Sequence, residues 1–192
     1  MNLPTKLTVL RIVLIPFFVA AYFISALPFN YLIAAVIFVV AAITDFLDGF
    51  IARKYGMVTD LGKFLDPVAD KVLVASALVI MLVTPDGGAE ILPWYGAIAV
   101  AIILARELIV SGFRMVAAGK NVVLAAEKSG KIKTVVQDFS VIVLLSGAQF
   151  QAGLYTTVNI VGLSLMALAT VLTVISGAEC IIKNAGVLKE NK

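Results

Sequence analysis

Six long apolar segments govern what this chain can become. They run over residues 7–27, 31–52, 64–84, 92–116, 134–149 and 155–182. Crossing the hydrocarbon of a bilayer takes about 20 apolar residues in helical form, and tilt absorbs an excess. The stretch 134–149 is the shortest, and the others meet that length. Composition points the same way: 61% of the 192 residues are hydrophobic and 14% are charged. A soluble domain carries about 45–50% and about 25%. No strand-like alternation interrupts the runs, which argues against a membrane β-barrel. The expected fold is therefore all-α: a polytopic membrane protein of six transmembrane helices, with residues 1–192 as a single membrane domain. The first segment, although preceded by Lys6, is read as an uncleaved helix rather than a signal peptide. Ahead of it, Asn2–Thr8 mixes polar and apolar residues and reads as a short interfacial segment.

Charge gives the expected orientation. Six spans put both termini on one side. The loops near 28–30, 85–91 and 150–154 then lie on the other side, and they contain no lysine or arginine. All fifteen basic residues fall at or near the opposite face. The positive-inside rule makes that face cytoplasmic. The chain is thus expected in a bacterial-type cytoplasmic membrane, with both termini and the charged loops near 53–63 and 117–133 inside.

Several function classes drop out. Histidine is absent, which removes Ser-His-Asp triads, histidine zinc sites and histidine proton shuttles. Any general base must be a carboxylate or a lysine. The one cysteine, Cys180, lies in the last apolar segment and reads as a small buried apolar residue. No basic, aromatic-interleaved soluble segment exists, so no nucleic-acid partner is expected.

The chemistry is concentrated in four aspartates. Asp45 and Asp48 close the second segment, and Asp66 and Asp70 open the third. On a helix, i/i+3 and i/i+4 spacings put each pair on one face. Carboxylates at a membrane are costly and usually functional. Four together repel unless cations neutralise them. An all-oxygen, strongly anionic pocket suits hard divalent cations, and those suit phosphates. Gly49 and Gly62 leave room for a ligand beside the backbone. Arg53 is placed to reach a phosphate oxygen. Taken alone, intramembrane acids also fit a cation or proton pathway, so a small transporter stays open as an alternative.

The whole string, Asp45-x-x-Asp48-Gly49-x-x-Ala52-Arg53, eight residues, then Gly62-x-x-x-Asp66-x-x-x-Asp70, resembles the signature of the CDP-alcohol phosphatidyltransferases, without departure. The resemblance implies a metal-assisted transfer of a phosphatidyl group from a CDP-linked lipid to an alcohol, releasing CMP. It implies that Asp45, Asp48, Asp66 and Asp70 surround two divalent ions, magnesium or manganese. It implies that Asp70 is the base that takes the acceptor's proton. Gly49, Ala52, Arg53 and Gly62 would bind the CDP-lipid. It also implies a homodimer among membrane lipids.

The motif does not name the acceptor. A second set of cations bears on that. Arg106 and Arg114 lie in the cytoplasmic half of the fourth segment, and Lys131 and Lys133 lead into the fifth. Gathered at one cavity, they would suit a phosphorylated acceptor. Glu107 reads as a partner for a neighbouring base. Arg106-Glu107-x-x-Val110-Ser111-Gly112-x-Arg114 and Ser129-Gly130-Lys131-x-Lys133-Thr134-x-x-Gln137 are similar to stretches of the bacterial phosphatidylglycerophosphate synthases of that family, as is Leu3-Pro4-x-x-Leu7-Thr8-x-x-Arg11. This implies CDP-diacylglycerol as donor and sn-glycerol 3-phosphate as acceptor. Inositol phosphate or serine remains the alternative acceptor.

Overall fold

Backbone hydrogen bonding carries the helices past the apolar segments at their charged ends. The computed structural model describes residues 2–55, 60–85, 91–119, 128–150 and 152–184. Among these it contains six α-helices: α1 (Leu3–Phe23), α2 (Asn30–Tyr55), α3 (Asp60–Ile80), α4 (Gly96–Gly119), α5 (Lys128–Gly147) and α6 (Ala152–Lys183). Helices α3 and α5 start several residues before the apolar runs do, because a helical backbone satisfies its own polar groups whatever its side chains are. The stretch Asn2–Thr8 is not a separate interfacial element. Asn2 is the N-cap of α1, Pro4 sits in its first turn, and the helix runs without a break to Phe23. Proline is tolerated there because the first helical N–H groups have no intrahelical acceptor.

Four of the helices are long and apolar enough to cross a membrane: Thr5–Phe23, Asn30–Ile51, Gly96–Gly119 and Leu154–Lys183. Helices α3 and α5 are not in that set. The reason is chemical. The first carries Asp60, Lys63, Asp66, Asp70 and Lys71, and the second Lys128, Lys131, Lys133 and Asp138. Phe17, Phe46, Leu108, Met115 and Ile182 all turn their large apolar side chains outward. A water-soluble monomer does not expose apolar surface on that scale; a lipid-facing one must.

The chain forms two compact units, one of Met1–Ile91 with Val141–Asn159 and one of Leu92–Ser140 with Ile160–Lys192. In the first, α1 is the central helix. It packs along both α2 and α3, which touch each other far less. The short connection between α2 and α3 alone would make those two the main pair, yet among the described residues each packs more extensively on α1. Its buried stripe is Thr8, Arg11, Ile15, Phe18 and Tyr22, a +3/+4 repeat that keeps one face inward. The facing stripe of α2 is Ala34, Phe38, Ala41, Thr44 and Asp48. Alanines let the backbones approach closely, and Phe18 meets Phe38 with ring centroids 5.9 Å apart. At the other end, the Tyr22 hydroxyl donates to the Val83 carbonyl (2.8 Å) and Asn30 Nδ2 to the Tyr22 carbonyl (3.2 Å). Phe29, just before α2, has φ 60°, a left-handed conformation unusual for a bulky residue. The adjoining Asn30 contact fixes that turn.

In the second unit, α4 buries Gly96, Val100, Ile103, Val110, Phe113 and Ala117. Val110 and Phe113 form a cluster with Cys180, so the cysteine behaves as the apolar core residue expected of it. Ser140 Oγ donates to the Gly162 carbonyl at 2.9 Å and joins α5 to α6. The gap in the α4 stripe between Ile103 and Val110 holds Arg106 and Glu107.

Candidate active site

Asp48 continues the core stripe of α2, so it enters the space between α1 and α2 instead of facing out. Its residue is 3% exposed. A buried carboxylate needs a partner, because burying an ion alone costs several kcal/mol. Arg11 is that partner. The guanidinium is fully buried, with Nη2 2.5 Å from Asp48 Oδ2 and Nη1 2.7 Å from Asp45 Oδ1. The Thr8 hydroxyl, one turn earlier, donates to the same Asp48 oxygen at 3.5 Å. Arg11 Nη1 is close to Asp45 but lies off the axis of a good hydrogen bond, so that contact is an ion pair more than a directed bond. Asp45 is the more open of the two, its side chain 43% exposed. The i/i+3 spacing thus does what the helical period requires: both carboxylates reach one point on the neighbouring helix.

Asp70 is in α3, half-buried, next to the buried Ala69. Gly49 lies in α2, also half-buried. Ala52 and Arg53 belong to α2 and Gly62 and Asp66 to α3, but their side chains lie outside the described residues, as do residues 56–59. Among the described residues no group of three acidic, histidine or cysteine side chains converges on one point. With the Asp66 side chain outside that description, the complete four-aspartate arrangement is not on view. The donor set nevertheless fits a divalent cation. It is all carboxylate, and each carboxylate has two oxygens with about four acceptor positions. Arg11 engages one oxygen of Asp45 and one of Asp48.

The second unit holds a separate polar cluster. Glu107 accepts from Lys133 Nζ and lies 3.2 Å from Arg106 Nη1. The pairing of Glu107 with a neighbouring base is therefore met twice. Arg106 Nη2 also donates to Ser176 Oγ at 3.0 Å. Gly177 makes space for this arginine: a Cβ there would come 2.9 Å from Arg106 Cγ. Lys133 is buried, and Gln137, one turn on, is buried as well, with no hydrogen-bond partner for its Oε1. Ser129 Oγ donates to Glu179 at 2.9 Å, tying the start of α5 to α6. Of the four cations expected at an acceptor site, Arg106 and Lys133 are brought together through Glu107. Arg114 and Lys131 are exposed, and neither has an ion pair among the described residues.

A family model for CDP-alcohol phosphatidyltransferases matches residues 1–175. The chain belongs to the CDP-alcohol phosphatidyltransferase family. Individual members resemble it over three-quarters of its length or more. The CDP-diacylglycerol–glycerol-3-phosphate 3-phosphatidyltransferase of Rickettsia felis is 40% identical over 179 residues, covering 92% of this chain and 91% of that protein. The protein of the same name from Rickettsia bellii is 38% identical over 176 residues, 92% of this chain and 91% of its own. That of Sodalis glossinidius is 44% identical over 149 residues, 76% of this chain and 77% of its own. Family membership accounts for the aspartate string. It leaves Arg11 as the residue of this phosphatidyltransferase that sequence reading did not attach to the site. The signal was available: Arg11 occupies an inward position of the Thr8–Arg11–Ile15–Phe18–Tyr22 repeat, where an unpaired charge would be untenable.

Proposed function

We propose that this chain transfers the phosphatidyl group of CDP-diacylglycerol to sn-glycerol 3-phosphate, giving phosphatidylglycerophosphate and CMP. The observation that carries this reading is the pair of relatives matched over nine-tenths of the chain, both named for that reaction. The acceptor hydroxyl attacks the phosphorus that bears the diacylglycerol, a new P–O bond forms, and the bond to CMP breaks. Asp70 accepts the hydroxyl proton. Asp45, Asp48, Asp66 and Asp70 hold two divalent ions, magnesium or manganese. When bound, these ions neutralise phosphate charge and favour phosphoryl transfer. Gly49, Ala52, Arg53 and Gly62 hold the nucleotide end of the donor, whose acyl chains stay in the bilayer. Arg106, Arg114, Lys131 and Lys133 hold the acceptor's phosphate. A phosphate arriving at Arg106 and Lys133 competes with Glu107 for them. Residues 1–192 act as one catalytic domain, and the enzyme works as a homodimer.

Purified protein with CDP-diacylglycerol and magnesium should release CMP with glycerol 3-phosphate. It should not do so with serine, inositol, inositol phosphate or phosphatidylglycerol. Release with another acceptor would overturn the substrate assignment, and no release with any would favour a transporter. In the same assay, Arg114→Ala and Lys133→Ala should raise the KM for glycerol 3-phosphate and leave that for the donor unchanged. A lost charge-assisted hydrogen bond corresponds to roughly 1.5–3 kcal/mol, or about 10- to 150-fold. Equal effects on both substrates would remove these residues from the acceptor site.

The segregation of all fifteen lysines and arginines supports six spans with both termini and the site in the cytoplasm. Positions 87 and 121 lie outside the described residues and serve as reporters. In a Cys180→Ser background, an impermeant thiol reagent added outside should label a cysteine at 87 and not at 121. The reverse pattern would invert the orientation.

A further inference from the structure

Two carboxylates one helical turn apart repel each other, and a group that draws both to one point sets their direction. Such a group comes from α1: Arg11 pairs with both. We propose that Arg11 is a positioning residue for the metal-binding aspartates: one buried guanidinium engages Asp45 and Asp48 together and fixes how the pair receives a divalent ion. The inference rests on the reading of those aspartates as metal ligands.

Three features carry it. The guanidinium is fully buried at a core position, and its stem is flanked along α1 by Thr8 and Ile15, also buried, so it has little freedom to swing away. Its two terminal nitrogens are divided between the two carboxylates, at 2.5 and 2.7 Å. The Nη2 bond to Asp48 is directed and the Nη1 contact to Asp45 is an ion pair; the planar fork sets the two at fixed positions, whereas an ammonium acts as one point charge. Groups that orient ligating carboxylates typically change metal affinity or activity by about 10–100-fold when removed.

The opposite role can be stated on the same geometry. Arg11 could act as a counter-cation that a metal must displace, in which case removing it would tighten metal binding. Burial argues against displacement. Pushing the guanidinium aside would strand an unpaired buried charge, a cost of several kcal/mol. A metal and Arg11 can instead share the two carboxylates, since each carboxylate has about four acceptor positions.

The test is Mn(II) binding by electron paramagnetic resonance on the full-length protein in lipid nanodiscs, with thermal unfolding measured in parallel. Arg11→Gln should weaken Mn(II) binding about 10–100-fold. Arg11→Lys keeps a buried cation and so guards against loss of the fold. It should weaken binding too, since an ammonium does not bridge both carboxylates as the fork does. Unchanged or tighter Mn(II) binding in folded Arg11→Lys would overturn the proposal, whatever Arg11→Gln does. Wild-type protein that binds no Mn(II), or an Asp48→Asn variant that binds it as well as wild type, would instead sink the metal reading on which the proposal stands.

Discussion

Asp70→Asn is expected to lower turnover by about 10²–10⁴-fold while CDP-diacylglycerol binding stays measurable. Asparagine keeps the size of aspartate and loses its basicity. Asp70 is half-buried in α3, beside the core residue Ala69, so a change of similar shape should leave the helix packing intact. No histidine exists in the chain to take over the proton. Two measurements check the expectation: CMP release at saturating substrates, and donor binding by titration calorimetry in detergent. Turnover near the wild-type level would remove Asp70 from the role of base. Loss of donor binding together with turnover would point to a purely binding role.

Removal of divalent metal should have a still larger effect. After exhaustive dialysis against a chelator, CMP release should fall to the background level. Magnesium or manganese should restore it, and sodium or potassium at equal ionic strength should not. The basis is electrostatic. Four carboxylates gathered round one donor would repel at low dielectric, and Asp45 and Asp48 already share the buried Arg11 guanidinium. A donor diphosphate adds further negative charge to the set, which divalent cations are suited to neutralise. Full activity in the chelated enzyme would mean that the aspartates serve another purpose.

Hydropathy made the number of helices legible, because each needs an apolar face or stripe. Their ends were less legible. Helices α2, α3 and α5 run into charged residues such as Lys54, Asp60 and Lys128, which a reading by apolarity assigns to loops. The same charges separate four clearly span-like helices from α3 and α5. The spacing of Asp45 and Asp48 was legible as one helical face, and the two do converge. Their partner was harder to find. Arg11 is remote in sequence, and a basic residue near the start of an apolar segment resembles an ordinary topogenic charge. Only its register with Thr8, Ile15, Phe18 and Tyr22 marks it as inward-facing. Which helix lies between which others was not legible either. Loop length favours α2 against α3, while α1 packs on both. Small side chains at Ala34, Ala41, Ala69 and Ala77 permit that close packing without specifying it.

The arginine in α1 also bears on how the protein is made. A ribosome delivers α1 first, so Arg11 meets the membrane before either carboxylate has emerged behind it. An arginine at the centre of an inserting helix costs about 2.5–3.5 kcal/mol. Arg11, in the first half of α1, can reduce that by reaching toward the head groups. It cannot do so and also point inward between packed helices. Its final position is accessible only once Asp45 and Asp48 have emerged at the far end of α2. The first two helices can therefore reach this packing only after both exist.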